Sequence, residues 1–206
     1  MVCPSADLEL ALRAIAFAAI GTAGQRCTTL RRLFIHRHVY AALVERLKQV
    51  YATARVGNPL EDGSVLIGPL IDEAAFAAMQ ATLSEVHALG GKVTGGDRCH
   101  AERYPAAYYV RPALIEMAEQ TGPVLRETFA PLLYVMPYTD FDQAIELHNG
   151  VPRRPRLVDL FQRCARGRAI SVGGGIGLRD CQRQYWSVRR RDWWCLWRRE
   201  GDGRRS

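Results

Sequence analysis

Apolar side chains recur every three or four residues in four stretches of the chain, a spacing that predicts four amphipathic helices. The predicted helices cover residues 8–20, 39–51, 72–89 and 140–147. Residues that favour helix starts stand at three of these beginnings, namely Ser5 or Asp7, Asp72 and Asp140, and Gly90 follows the third helix. Such residues satisfy or terminate the backbone groups that helix ends leave without intrahelical partners.

Short apolar runs between these helices predict strands. The predicted strands cover residues 33–35, 92–94, 108–110 and 132–136. Small residues at 21–24 and proline-containing turns at 58–59 and 68–69 interrupt the regular patterns. Because helices alternate with short strands, the pattern predicts an α/β fold built in layers.

Charge divides the chain near residue 150. The formal net charge of the 206 residues is +7, but residues 151–206 contain 15 arginines and five acidic residues, a net charge of +10. Residues 1–150 contain 13 basic and 16 acidic residues, a net charge of −3. All four tryptophans also lie in the second part, which shows no sustained helical or strand period. We therefore predict a globular part, 1–150, followed by an Arg/Trp-rich, unstructured tail, 151–206.

Several classes of protein do not fit this composition. No apolar run reaches the roughly 18 residues of a membrane-spanning helix, and the start does not resemble a secretory signal. The six cysteines include no Cys-x-x-Cys pair, and no histidines stand at metal-ligand spacing, so we expect no zinc site. A reducing compartment is expected, with the cytoplasm as the prediction and a mitochondrial location as the alternative.

Cys27 is the strongest candidate for chemistry. It follows a glycine-containing loop after an apolar helix, a position from which a side chain can face a cleft. Nearby backbone N–H groups can stabilise both a thiolate and an oxyanion. The alternative is a buried structural cysteine. The neighbouring Arg26 can favour the thiolate, bind an anionic substrate, or simply be a solvated surface residue.

Residues 24–28, Gly-Gln-Arg-Cys-Thr, resemble the catalytic-cysteine segment of the aldehyde dehydrogenase superfamily. The resemblance continues in order through the strand after the cysteine, a Gly-x-Pro loop, a Gly-Pro loop, a Tyr/Phe-x-x-Pro strand and a Glu-x-Phe-Gly-Pro segment. In this chain these are residues 33–36, 57–59, 68–70, 109–112 and 127–131, the last with Ala130 in place of the usual glycine. The longer string 21–29 is most similar to the antiquitin, or α-aminoadipic semialdehyde dehydrogenase, branch.

The resemblance implies that residues 1–150 are a fragment of an aldehyde dehydrogenase catalytic domain, an open sheet with flanking helices. It implies NAD-dependent oxidation of an aldehyde, α-aminoadipic semialdehyde or a similar semialdehyde of lysine catabolism, to the carboxylic acid. Cys27 would form the thiohemiacetal and then the thioester. Glu127 would hold the nicotinamide ribose, Phe129 would pack near the nicotinamide ring, and Arg26 would hold the carboxylate end of the substrate. Without the resemblance, a solvated Glu127 and a core Phe129 would be the simpler interpretations.

Complete members of the superfamily are more than twice as long as this chain. Their earlier half supplies the cofactor domain, the asparagine of the oxyanion hole and the general-base glutamate, so we expect the isolated chain to be inactive. The alternative functions are an inactive fragment or a basic protein that binds polyanions through its tail. We expect an aldehyde substrate, no specific nucleic acid and no membrane as partners. Members of the superfamily are homo-oligomers that assemble partly through C-terminal segments; we expect those segments to be missing here, so that this chain does not assemble in the same way.

The composition of the tail has a testable origin. The resemblance stops near residue 152, where the superfamily continues with a glycine-rich segment. Glycine codons are GGN, and a glycine run read one base early becomes NGG, which encodes Arg, Trp or Gly. We therefore predict that residues 151–206 arise from a shifted reading frame or a misplaced exon boundary. The nucleotide sequence near codons 151–154 tests this: restoring the frame should produce the glycine-rich segment, and early stop codons in that frame would contradict it.

Overall fold

Four α-helices, two short 3₁₀ helices (Gly21–Gly24 and Gly122–Leu125) and six strands build residues 1–150, the part of the chain that the computed structural model describes. The helices are α1 (Leu8–Ile20), α2 (Arg37–Thr53), α3 (Glu73–Ala88) and α4 (Phe141–Asn149). The strands are β1 (Arg32–His36), β2 (Lys92–Thr94), β3 (Arg98–Cys99), β4 (Tyr109–Val110), β5 (Ala113–Glu116) and β6 (Leu132–Tyr138). The prediction of an unstructured tail concerns residues 151–206, which lie outside the described residues.

The four predicted helices are confirmed, and three of them begin at the predicted aspartates. The Asp7 carboxylate accepts hydrogen bonds from the first turn of α1, so Asp7 rather than Ser5 is the cap. Asp72 and Asp140 do the same for α3 and α4. Each carboxylate satisfies backbone N–H groups that have no partner within the helix.

The main sheet has the strand order β1-β6-β5-β2. β1 runs parallel to β6, and β6 runs parallel to β5, whereas β2 is antiparallel to β5. β3 and β4 form a separate two-stranded antiparallel sheet. This mixed sheet with helices packed on it confirms the predicted α/β class, and it leaves the segments before β1 and β6 at one edge.

β5 lies in the middle of the sheet, yet the apolar pattern did not predict it. The strand has only four residues, and Ala113, Leu114 and Ile115 are all fully buried. A short strand that is buried on both faces shows no alternation of apolar and polar side chains, so periodicity cannot detect it. β3, with two residues, was missed because it is too short to carry a period.

The core joins the sheet to the helices that pack against it. Its largest fully buried side chains include Phe34, Ile35, Leu43, Leu47, Leu114, Ile115, Leu132 and Leu133. Leu43 and Leu47 belong to α2 and the others to β1, β5 and β6, so one apolar layer connects these elements. None of the helices within residues 1–150 combines the length and the apolar character needed to cross a membrane.

Candidate active site

Parallel pairing of β1 with β6 brings the candidate residues to one place. In this pairing Arg32 stands opposite Tyr134, and the Tyr134 amide donates a 2.9 Å hydrogen bond to the Arg31 carbonyl. Segments that enter two neighbouring parallel strands meet at the same edge of the sheet. The cysteine turn (residues 25–29) therefore lies at the same edge as the 126–131 segment, although about 100 residues separate them in sequence.

Cys27 occupies the exposed tip of the cysteine turn. The Thr29 amide donates to the Arg26 carbonyl at 3.1 Å, and the Arg26 amide donates to Thr29 Oγ1 at 3.2 Å, which closes the turn around the cysteine. The Cys27 side chain is exposed, whereas Cys3 is buried and Cys99 is partly buried. An exposed thiol does not fit the interpretation of Cys27 as a buried structural residue, and it can meet a substrate.

Gly24 and Gln25, which precede Cys27, anchor its turn to other parts of the fold. The side chain of Gln25 accepts a 2.9 Å hydrogen bond from the Ile71 amide and donates one of 3.3 Å to the Pro69 carbonyl. Gly24 has a φ of +66° and packs directly on the backbone at Ala130 and Pro131. The cysteine turn is thus joined to the Gly-Pro loop on one side and to the 126–131 segment on the other.

Arg31 makes the second junction between these segments. Its guanidinium donates to the Arg26 carbonyl at 3.2 Å and to the Thr128 carbonyl. The same group lies 3.7 Å from a carboxylate oxygen of Glu127 and 4.8 Å from the centre of the Phe129 ring. One largely buried cation, only 13% exposed, therefore contacts the cysteine turn and three consecutive residues of the other segment.

Burial is the main influence on the charge of Arg31. Loss of solvent lowers the pKa of the Arg31 guanidinium below its usual value, while the Glu127 carboxylate, the Cys27 thiol and the Tyr134 hydroxyl raise it. An arginine stays charged through such a shift. The positive charge of Arg31 is therefore present beside Cys27 and Glu127 at neutral pH.

Glu127 and Phe129 remain accessible at this edge. The Glu127 side chain is 31% exposed, and Phe129 is 44% exposed, so Phe129 is not a core residue. α3 holds the same segment from its other side, through an ion pair between Arg126 and Glu85 and a 3.3 Å contact between the hydroxyls of Thr128 and Thr82. An accessible carboxylate and an accessible ring face are thus presented on an anchored backbone.

Arg26 lies on the other side of the cysteine turn and points back towards α1. Its guanidinium sits 5.6 Å from the centre of the Phe17 ring and fills the space beside Gly21. Within residues 1–150, the buried Nε of Arg26 has no hydrogen-bond partner. The guanidinium is half-buried rather than a solvated surface group, and it retains a donor for an additional acceptor.

Sequence reasoning missed the roles of Gln25 and Arg31. Two adjacent arginines, Arg31 and Arg32, precede an apolar strand, and they could have indicated such a role. Charged side chains next to a buried strand need hydrogen-bond or ion-pair partners. Which partners they find depends on β6, some 100 residues later, and no local pattern reveals that. In the part of the chain that is described, no group of histidine, cysteine and acidic side chains could hold a metal ion.

Comparisons with known proteins agree with this architecture. Residues 1–153 match the sequence model of the aldehyde dehydrogenase family. The chain is 44% identical over 154 residues to aldehyde dehydrogenase family 7 member A1 of Pisum sativum, covering 74% of this chain and 29% of that protein. It is 40% identical over 147 residues to α-aminoadipic semialdehyde dehydrogenase of Mus musculus, covering 71% of this chain and 26% of that protein. The chain thus spans less than a third of these curated relatives.

Solved structures share the fold. A crystal structure of an aldehyde dehydrogenase from Burkholderia cenocepacia superposes with a TM-score of 0.70 and 29% identity over 73% of this chain and 31% of that one. Aldehyde dehydrogenase C of Pseudomonas syringae, solved as a mutant with NAD⁺ and octanal, superposes with a TM-score of 0.64 and 26% identity. That match covers 71% of this chain and 30% of the other.

Proposed function

The chain belongs to the aldehyde dehydrogenase family, and on that premise we propose that it supplies the nucleophilic cysteine for NAD-dependent oxidation of an aldehyde to a carboxylic acid. One observation carries this proposal. The exposed Cys27 thiol lies at the same sheet edge as the accessible Glu127 carboxylate and Phe129 ring. Two strands that are distant in sequence create this arrangement by pairing in parallel.

In the proposed reaction Cys27 forms and releases the covalent intermediate. The thiolate adds to the aldehyde carbon, so a C–S bond forms and the carbonyl oxygen becomes an oxyanion. The backbone N–H of Cys27 helps to stabilise that oxyanion. When the oxyanion collapses, the C=O bond re-forms and the carbon gives up a hydride, for which NAD would be the acceptor, so that a thioester results. Water then displaces the Cys27 sulfur, which releases the carboxylic acid and restores the thiol.

Glu127 and Phe129 fit the nicotinamide end of NAD, which supplies the hydride acceptor when it is bound. The exposed carboxylate of Glu127 can accept hydrogen bonds from the two ribose hydroxyls, and the exposed face of Phe129 can pack against a flat ring. The related structure with bound NAD⁺ and octanal supports this choice of cofactor. Residues that would hold the rest of NAD are not assigned within residues 1–150.

We propose α-aminoadipic semialdehyde, or a similar semialdehyde with a distant carboxylate, as the substrate. The name of the mouse relative supports this choice, and Arg26 beside Cys27 supplies a matching cation. Arg26 is only partly buried, and a guanidinium can hold a carboxylate through two parallel hydrogen bonds.

We also propose that residues 1–150 form part of a catalytic domain. We place this domain in a reducing compartment such as the cytoplasm, and the three free thiols within these residues support that location.

A chimera tests the proposed function directly. Residues 1–150 of this chain replace the matched region of the Pisum sativum relative, which supplies the remaining parts of the fold. We expect the chimera to form NADH with α-aminoadipic semialdehyde, and the 206-residue chain alone to form none. The unmodified relative is the positive control. A folded chimera that does not turn over, beside an active relative, would contradict the proposed function.

Replacing Arg26 with methionine in the chimera tests the substrate assignment. We expect KM for α-aminoadipic semialdehyde to rise about 10- to 100-fold, because a charge-assisted contact to the carboxylate is lost. KM for propanal, which has no carboxylate, should stay within about twofold, since no such contact exists to lose. Steady-state kinetics with both aldehydes provide the measurement. An equal rise in both KM values would mean that Arg26 acts on the turn and not on the substrate carboxylate.

A further inference from the structure

Arg31 connects the two halves of the site, and none of the roles assigned above uses it. We propose that Arg31 is a positioning residue, which couples the cysteine turn to the 126–131 segment. This inference rests on the proposed function, since it concerns the residues that would perform that reaction. It assigns Arg31 no contact with substrate or cofactor.

The geometry supports coupling because a single guanidinium contacts both segments. Its donors reach the carbonyl of Arg26 in the cysteine turn and the carbonyl of Thr128 in the other segment. The Arg26 carbonyl directly precedes Cys27 in the chain, and the Thr128 carbonyl lies between Glu127 and Phe129. A shift of either segment would stretch a charge-assisted hydrogen bond, so Arg31 links the movements of the two segments.

The same guanidinium restricts the two side chains that face it. The carboxylate of Glu127 lies 3.7 Å away, and the ring of Phe129 lies beneath the guanidinium plane at 4.8 Å. A planar, delocalised cation can make all these contacts together, whereas the point charge of a lysine cannot. Arg31 therefore favours one orientation of Glu127 and one of Phe129 before any ligand arrives, which reduces the ordering cost of binding.

Arg32 provides a matched control. It is the next residue, it has the same side chain, and burial lowers its pKa as it does that of Arg31. Its guanidinium contacts the Gln120 side chain, lies 3.5 Å from the His148 carbonyl and 6.0 Å from the centre of the Phe34 ring. Replacing Arg32 therefore removes a comparable buried cation, but one whose contacts lie outside the cysteine turn and the 126–131 segment.

The test uses the full 206-residue chain, with Arg31→Met, Arg31→Lys and Arg32→Met, and needs neither aldehyde nor NAD. Amide hydrogen exchange is measured in peptides that cover residues 25–31 and 126–131. Circular dichroism and thermal melts establish that each variant is folded.

We expect Arg31→Met to speed amide hydrogen exchange in both segments, because the hydrogen bonds that join them are lost. Arg31→Lys should not restore the protection from exchange, because it restores the charge but not the planar set of donors; it also serves if Arg31→Met fails to fold. Arg32→Met should leave the exchange of both segments unchanged. Wild-type behaviour of Arg31→Met, or the same changes in Arg32→Met, would overturn the proposal. Because no turnover is measured, this result is independent of whether the chimera oxidises aldehydes.

Discussion

Replacing Cys27 with alanine in the chimera is expected to lower the rate of aldehyde oxidation by at least about 10⁴-fold, close to the uncatalysed level. Alanine has no nucleophile, so neither the C–S bond nor the thioester can form. Because Cys27 is exposed on a turn, the substitution leaves no cavity, and the thermal midpoint should stay within about 2 °C of that of the parent. NADH formation measured by absorbance at saturating aldehyde and NAD provides the test.

Cys99→Ala is the matched control for this prediction. Cys99 is a partly buried thiol in β3 of the two-stranded sheet and is not part of the cysteine turn. Burial raises the pKa of the Cys99 thiol, so less of it is in the reactive thiolate form at neutral pH. Cys99→Ala should therefore keep nearly full activity. Retained turnover in Cys27→Ala, or equal losses in the two variants, would refute the role assigned to Cys27.

Gly24→Ala is expected to lower the free energy of unfolding by about 3 to 5 kcal/mol, the largest effect on stability that we predict. A Cβ at this position would overlap the carbonyl of Ala130 and lie 2.7 Å from the Cα of Pro131. These are backbone atoms just before β6, and they cannot rotate away as a side chain can. The left-handed backbone conformation alone costs less free energy than this overlap, since Thr22 and Ala23 also adopt a positive φ, 52° each. The clash should therefore dominate.

A second glycine separates the two costs. Gly90 has a φ of +78°, and a Cβ there would meet nothing within 4 Å, so Gly90→Ala includes the backbone cost without the clash. We expect it to lower the free energy of unfolding by only about 1 kcal/mol. Urea denaturation of the 206-residue chain and the two variants provides the comparison. Equal effects would mean that backbone conformation, and not the contact with Ala130, makes Gly24 necessary.

Where local chemistry decides the structure, prediction from the sequence was accurate. Asp72 precedes an apolar periodicity of helical spacing, and it caps a helix in the structure as predicted. The run at Leu33 and Phe34 forms a buried strand for the same reason, since its neighbours in sequence are enough to mark it. The α/β class and the membership of the family followed from such local segments in their order along the chain.

Where the structure depends on partners that are distant in sequence, local patterns did not predict it. Nothing near Ala113 or Leu114 indicates a central strand; β5 exists because β6 and β2 flank it. Likewise, Arg26 could be solvated or half-buried, and only the packing of α1 against the turn places it over Phe17. The assignments of Cys27, Arg26, Glu127 and Phe129 to chemical roles remain predictions that the experiments above test.

The sequence by itself determined the helices, the caps of three of them, the candidate nucleophile and the family, because each depends on residues within a few positions of one another. Tertiary structure alone decided that Cys27 and Glu127 share one sheet edge, since parallel pairing of β1 with β6 joins segments about 100 residues apart. It alone decided that Gly24 must be a glycine for lack of space, and that Arg31 contacts both segments. The physical reason is the same in each case: these contacts form only after the sheet has set its strand order and register, which no short stretch of sequence encodes.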